Sequence, residues 1–236
     1  MKKLTIIFLI TAIAASLVSL AACKNPITGE GGTDSLEISM AESKQKMEEL
    51  GREEGYEVTL VYGTEEGTDG EFTFGCKGDV VWAYVGEDGY AVKKEGDNVY
   101  TYSTQDGVFQ FEAQVSEEEA QNYSSVYMNI YNEWLYYGNG FDGMLKKGSD
   151  ANVAGRPCHT YTFKMGDLGV INNFIGQYVS GVNLEYRINV DVEYGITMKL
   201  NVLAEAEGES NSVNFEVTSF KTGNAVTVPT LPSVPQ

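Results

Sequence analysis

The sequence predicts an α+β domain with a curved antiparallel β-sheet and a helix at its N-terminal end. Three observations predict this class. Apolar and polar residues alternate over most of the chain after residue 55, which is typical of strands with one buried face. Before that point the apolar residues fall at helical spacing instead. Polar turn residues separate the alternating runs about every 8–12 residues, as in antiparallel meanders.

Residues 35–54 are expected to form the N-terminal helix. Two segments fit a capping box, Asp34-Ser35-Leu36-Glu37 loosely and Ser39-Met40-Ala41-Glu42 closely. The apolar stripe of the helix consists of Met40, Met47 and Leu50. Gly51 and Gly55 are expected to end the segment.

Strands are expected in two groups. The first lies between Tyr56 and Ala113, where short alternating runs are separated by turns such as Glu95-Gly96-Asp97-Asn98. The second covers roughly residues 182–217, where apolar residues alternate with acidic or amide-bearing ones. These later runs are long, and long strands favour a strongly curved sheet. A Pro-rich end, residues 224–236, follows.

Helical patterns interrupt the two groups of strands. Residues 116–137 open with a capping box and continue with one apolar stripe. The stripe consists of Tyr123, Tyr127, Ile130 and Trp134. A weaker helical pattern covers residues 167–178.

The N-terminus has the organisation of a bacterial signal peptide. Lys2 and Lys3 precede an uncharged, largely apolar run of about 17 residues from Leu4 to Leu20. The segment Leu20-Ala21-Ala22-Cys23 resembles a lipobox, in which the cysteine receives a diacylglyceryl group and a peptidase cuts just before it. Several acyl chains hold a protein firmly to a bilayer where one binds only marginally.

The chain is therefore expected to have three parts. Residues 1–22 form a lipoprotein signal peptide, and residues 23–34 form the lipidated cysteine with a Gly-rich flexible tether. Residues 35–236 form a single domain. The expected location is extracytoplasmic, at a bacterial cell membrane, with the lipid on Cys23 as the membrane contact.

Charge and residue types exclude several functions. The chain has 16 Lys+Arg and 34 Asp+Glu, a net charge of −18, and removal of residues 1–22 with their two lysines makes it −20. Such a field repels nucleic acid and anionic headgroups. His159 is the one histidine, and no catalytic or metal-ligating set accompanies it. No enzymatic activity and no cofactor are expected, and the oligomeric state stays open.

Two cysteines remain beside Cys23. Phe72, Phe74 and Cys76 share one face of a predicted strand, whereas Cys158 lies opposite the face of Tyr161. This parity weighs against a disulfide, but Pro157 could break the register of its strand. A disulfide in an exported protein and two free thiols therefore both stay open.

Aromatic residues are abundant, with 15 Tyr, 10 Phe and 2 Trp. They either fill the core or line an apolar cavity between the curved sheet and the helix at 116–137, for which Tyr is well suited. The candidate ligand-binding residues are Trp82, Tyr127, Ile130, Trp134, Tyr186 and Ile188.

Three short segments carry a family resemblance: Val99-Tyr100-Thr101-Tyr102, Val153-Ala154-Gly155-Arg156-Pro157-Cys158-His159-Thr160-Tyr161 and Tyr194-Gly195-Ile196-Thr197-Met198-Lys199. Together with the order of elements, they resemble the LolA/LolB-like lipoprotein-carrier superfamily, with its anchored LppX/LprG-like members. The resemblance implies an incomplete β-barrel with a helical lid over an apolar cavity. No functional residue of the family is carried over.

The expected function is that of a membrane-anchored lipoprotein that binds a lipid or another apolar ligand in the half-barrel. The alternative is a structural or protein-interaction module of the cell envelope, with a filled core and no ligand. A cavity under the helix at 116–137 would favour ligand binding, and a filled core would favour the structural or protein-interaction module.

Replacement of the lipobox cysteine tests the N-terminal interpretation. Cys23→Ala should prevent lipidation and the cleavage that follows it, and leave the domain folded. Mass spectrometry of the chain produced in bacteria measures both events, with Cys76→Ala as a control that should be processed normally. Cleavage before residue 23 in the Cys23→Ala chain would contradict the lipobox.

Overall fold

A computed structural model describes residues 33–64, 67–120, 134–172, 177–206 and 209–234. The expected signal peptide, Cys23 and nearly all of the expected tether lie outside the described residues, and so does most of the helix expected at 116–137. Within the described residues, no helix is long and apolar enough to cross a membrane.

The elements described from end to end are one helix, two 3₁₀ turns and eleven strands. The helix α1 spans Met40–Glu53, and single 3₁₀ turns span Tyr137–Phe141 and Gly223–Ala225. The strands are β1 Tyr56–Thr64, β2 Gly67–Lys77, β3 Val80–Val85, β4 Asp88–Glu95, β5 Asn98–Gln105, β6 Val108–Val115, β7 Lys146–Val153, β8 Arg156–Asn172, β9 Gln177–Asp191, β10 Thr197–Ala206 and β11 Glu209–Thr222.

The strands form one sheet in the order β6-β5-β4-β3-β2-β1-β11-β10-β9-β8-β7. Antiparallel pairing joins β2 through β6 and β7 through β11 as consecutive neighbours. The strands β6 and β7 are the two edges and do not pair with each other, so the sheet is not closed. This confirms the α+β class with an antiparallel sheet that stops short of a barrel.

The chain divides into two compact units, each with residues from several parts of the sequence. Unit 1 comprises Met1–Met40, Tyr62–Asp69 and Tyr136–Glu216. Unit 2 comprises Ala41–Val61, Gly70–Leu135 and Val217–Gln236. The strands β1, β2 and β11 contribute residues to both.

The N-terminal helix begins later than residue 35. It starts at Met40, directly after Ser39, so the second of the two predicted capping boxes marks its start. The preceding segment instead attaches to unit 1: the Asp34 amide donates to the Leu145 carbonyl at 3.0 Å, and the Leu36 amide donates to Asp142 Oδ1 at 2.8 Å. Backbone pairing and burial of Leu36 favour this extended path over another helical turn.

The prediction of a helix at 167–178 was wrong. Its described residues belong to β8 and β9, which pair up to Asn172 and Gln177. Pairing with a neighbouring strand outweighs a weak local helical pattern. The edge strand β7 went unpredicted because seven of its eight residues face solvent or are only half-buried, so no apolar alternation marks it.

Two of the short family-like segments meet in unit 1. Arg156, which opens β8, donates from Nε to Asp191 Oδ2 at 2.6 Å and packs 4.9 Å from the ring centre of Tyr194. The Asp191 side chain is fully buried, and its Oδ1 also accepts the amides of Glu193 and Tyr194. One ion pair therefore fixes the turn that joins β9 to β10.

Removing the arginine should destabilise this turn. Arg156→Ala leaves the Asp191 carboxylate buried without its cation, which costs on the order of 3–5 kcal/mol. Chemical denaturation measures the loss. The exposed Arg187 supplies the control, since Arg187→Ala should change stability by less than about 0.5 kcal/mol. Equal stabilities of the two variants would contradict the role of the Arg156–Asp191 pair.

Candidate functional site

One face of unit 2 is built from a row that alternates small and aromatic residues across five strands. From β2 to β6 the paired positions are Gly75, Trp82, Ala91, Tyr102 and Phe111. Side chains of paired residues project from the same face of a sheet. The small residue Gly75 leaves room for the ring of Trp82 on the neighbouring strand.

The indole of Trp82 depends most on this arrangement. A Cβ added at Gly75 would overlap the indole ring, so the ring occupies the space directly above that glycine. Trp82 is 1 % exposed. Gly75 was not singled out by the sequence patterns, because a glycine in a strand also marks bulges and bends.

A second row continues the aromatic face. Tyr84 pairs with Gly89, and Tyr84 meets the ring of Phe109 from β6 with 5.6 Å between ring centroids. Tyr102 and Phe111 meet edge to face at 6.0 Å. These spacings are those of favourable aromatic pairs. The result is a continuous aromatic surface, referred to below as the aromatic face: Trp82, Tyr84, Tyr100, Tyr102, Phe109 and Phe111.

The Pro-rich end of the chain covers the aromatic face. Val226 is buried in the same cluster, and Val228, Leu231 and Val234 pack against it. Thr227, Thr230 and Ser233 are exposed, so exposure recurs at every third residue. A period of three is that of the polyproline II helix. Residues 226–234, the C-terminal segment, therefore lie along the face in an extended conformation with one apolar side.

Lys77 fixes the start of the C-terminal segment. Its Nζ donates to the carbonyl oxygens of Gly223 at 2.9 Å and of Val226 at 3.3 Å. The Val226 amide donates to the Gly223 carbonyl at 3.2 Å. Among the described residues, no hydrogen bond accompanies the segment beyond Val226, so side-chain packing alone holds the rest.

Tyr186 and Ile188, two of the candidate ligand-binding residues, lie in unit 1 and are completely buried. The Tyr186 ring packs against Phe141 at 5.0 Å, Tyr137 at 6.4 Å and Phe163 at 6.1 Å between centroids. Burial raises the pKa of Tyr186 to about 12 and raises that of Tyr137 further, so both phenols stay neutral. In unit 1 the protein's own 3₁₀ turn fills the space over these residues.

The remaining candidates lie elsewhere. Trp82 lies in the aromatic face, whereas Trp134 is helical and half-buried in unit 2. Tyr127 and Ile130 lie outside the described residues. The predicted capping box is present, since Ser116 Oγ and Glu119 Oε2 are 2.8 Å apart and the Glu119 amide donates to Ser116 Oγ.

The histidine of the chain, His159, has a structural role. His159 contacts Asp150 Oδ1 at 2.8 Å and Glu37 Oε2 at 3.1 Å, which ties the N-terminal segment to β7 and β8. No group of three metal-binding side chains occurs within the described part of the chain.

Cys76 and Cys158 are both free thiols. The register of β8 continues through Pro157, which pairs with Asn152, so the predicted parity of Cys158 holds. Burial raises the pKa of each thiol to about 11. Neither is a nucleophile at neutral pH.

No protein-family model and no curated protein sequence matches the chain. Among solved structures, the chain is similar to the Pseudomonas aeruginosa MucA/MucB complex, with 14% identity, a TM-score of 0.32 and coverage of 81% of this chain and 57% of that chain. It therefore spans less than two thirds of that protein.

In two further solved structures the similarity covers nearly the whole length of the solved chain. LprF from Mycobacterium bovis has 10% identity and a TM-score of 0.32, over 82% of this chain and 98% of that chain. A putative outer membrane lipoprotein-sorting protein domain from Vibrio parahaemolyticus has 7% identity and a TM-score of 0.25, over 79% and 93%. At these TM-scores the similarities carry no argument about function.

Filling the space over Gly75 should disturb the aromatic face. Gly75→Ala forces the Trp82 ring to move, and such overpacking costs about 1–3 kcal/mol. Thermal unfolding measures the cost, and tryptophan emission reports the displaced ring. The control is Gly148→Ala in β7, where the added Cβ meets its nearest neighbour, the Thr160 carbonyl oxygen, at an ordinary 3.5 Å. An unchanged Tm and emission spectrum in Gly75→Ala would contradict the packing.

Proposed function

We propose that this chain is a lipid-anchored protein of the extracytoplasmic side of a bacterial membrane, and that it binds an apolar ligand such as a lipid acyl chain on its aromatic face. One observation carries the proposal. Among the described residues, one extended segment covers the aromatic face, and the hydrogen bonds that hold this segment lie at its start.

The chemistry of the face suits an acyl chain. Its rings offer broad apolar surface, and the polar tip of each tyrosine can remain at the margin. Burial raises the pKa of Tyr84 and of Tyr102, so both hydroxyls are neutral and bring no charge to the face. Lys93, a cation beside the face, is paired with Glu95.

A protein-interaction module of the envelope is the second candidate. The packing of unit 1 favours it, because Tyr186 and Ile188 lie under the chain's own Tyr137–Phe141 turn. The outer face of unit 1 carries exposed charged pairs such as Lys164 with Glu185. A module of this kind captures a partner through its surface and holds no ligand inside.

Native mass spectrometry tests the first candidate. The protein is produced from residue 23 onward with Cys23→Ala, so that it carries no lipid of its own, and is mixed with palmitic acid as the probe. We expect a one-to-one adduct. Trp82→Ala should weaken binding at least tenfold, since Trp82 occupies the centre of the face.

The matched control is Trp134→Ala, which removes the same side chain from a half-buried position outside the aromatic face. It should bind palmitic acid as the parent does. Absence of any adduct, or equal loss in both variants, would refute the apolar-ligand proposal and favour the interaction module.

A further inference from the structure

The C-terminal segment is pre-organised for an extended conformation. Its anchoring residues are each followed by proline, in the pairs Val228-Pro229, Leu231-Pro232 and Val234-Pro235. Proline fixes its own φ near about −65° and disfavours the helical region for the residue before it. The segment therefore loses little conformational freedom when it settles on the face.

The position of the segment matches its sequence period. The residue before each of the three prolines contacts the aromatic cluster, and the residues after the first two prolines, Thr230 and Ser233, face solvent. A strand added to the sheet would alternate every two residues and pair through its backbone. The observed period of three excludes that mode and indicates recognition of a polyproline II surface.

The aromatic face has the properties of a site for such a surface. Proline-rich segments dock in grooves lined by aromatic side chains, which accept their preformed ridges. Trp82, Tyr102 and Phe109 are buried beneath the segment. Lys77 adds a polar contact at one end, because its ammonium group holds two backbone carbonyls.

We propose that the aromatic face of unit 2 is a binding site for proline-rich peptides that carry an apolar residue before a proline at every third position. The chain's own C-terminal segment is the ligand that fills it in this structure. A short tether gives such a segment an effective concentration of about millimolar, so a peptide from another chain must compete with it. The site needs no lipid, and its test is independent of the proposal above.

The test is peptide binding to a chain whose own segment is weakened. The probe is a fluorescein-labelled peptide with the sequence of residues 226–236, and the protein is the chain from residue 23 with Cys23→Ala. Val228→Asn/Leu231→Asn removes two apolar anchors. We expect this variant to bind the peptide with a Kd at least tenfold lower than the parent, because its groove is no longer filled.

Two controls make the result specific. Thr227→Asn/Thr230→Asn introduces the same amides at exposed positions of the segment and should bind the peptide as weakly as the parent. A labelled peptide with asparagine at the positions of Val228 and Leu231 should bind neither variant. Fluorescence anisotropy measures every pair.

A variant that keeps its cooperative thermal transition but binds no peptide overturns the proposal. If Val228→Asn/Leu231→Asn has no such transition, Leu231→Ala, which only shortens one half-buried side chain, replaces it under the same criterion. Peptide binding without a palmitic acid adduct supports this site and refutes the lipid ligand. A palmitic acid adduct without peptide binding does the reverse.

Discussion

The packing of Trp82 between Gly75 and Ala91 is the contact on which the aromatic face depends. A side chain at Gly75 would take the space of the indole, and Ala91 on the other side is itself fully buried. Gly89 likewise leaves room for the ring of Tyr84, which in turn packs against Phe109. Together the rings form an apolar surface that must be covered by protein or ligand.

The two units cover their aromatic residues in different ways. In unit 1 the Tyr137–Phe141 turn lies over Tyr186, and the Arg156–Asp191 pair fixes the hairpin behind it. In unit 2 an extended segment without regular hydrogen bonding performs the same task. A cover that lacks backbone pairing opens at a lower free energy than a strand, so unit 2 is the part of the molecule suited to exchange one apolar partner for another.

Most of the sheet could be predicted because apolar and polar residues alternate within the strands themselves. β9 and β10 follow from their apolar and polar parity, and the six strands β1 to β6 follow from the turns between them. The edge strand β7 and the region at 167–178 were missed or misassigned, since pairing partners far along the chain determine them. Helix α1 begins at the second of the two capping boxes, because Leu36 in the first box is buried within unit 1 and not in a helix.

The site was harder to predict. Trp82 could be identified because it lies on an aromatic strand. Gly75 has no sequence pattern that marks it. The C-terminal segment could be recognised only as a Pro-rich end. Its repeat of an apolar residue before proline was visible in the sequence. What the sequence could not show is the surface it lies on, since that surface comes from strands more than 100 residues earlier.

The most direct test is whether the C-terminal segment leaves the aromatic face before the sheet unfolds. Two unfolding probes are compared in a chain whose C-terminal segment is unaltered. In a Trp134→Phe chain, Trp82 is the sole tryptophan, so its emission reports on the aromatic face while far-UV circular dichroism reports on the sheet. Urea should shift the Trp82 emission to the red before the sheet signal changes, because the segment leaves first. Coincident transitions of the two probes would show that the segment is an inseparable part of the core, and would contradict the account.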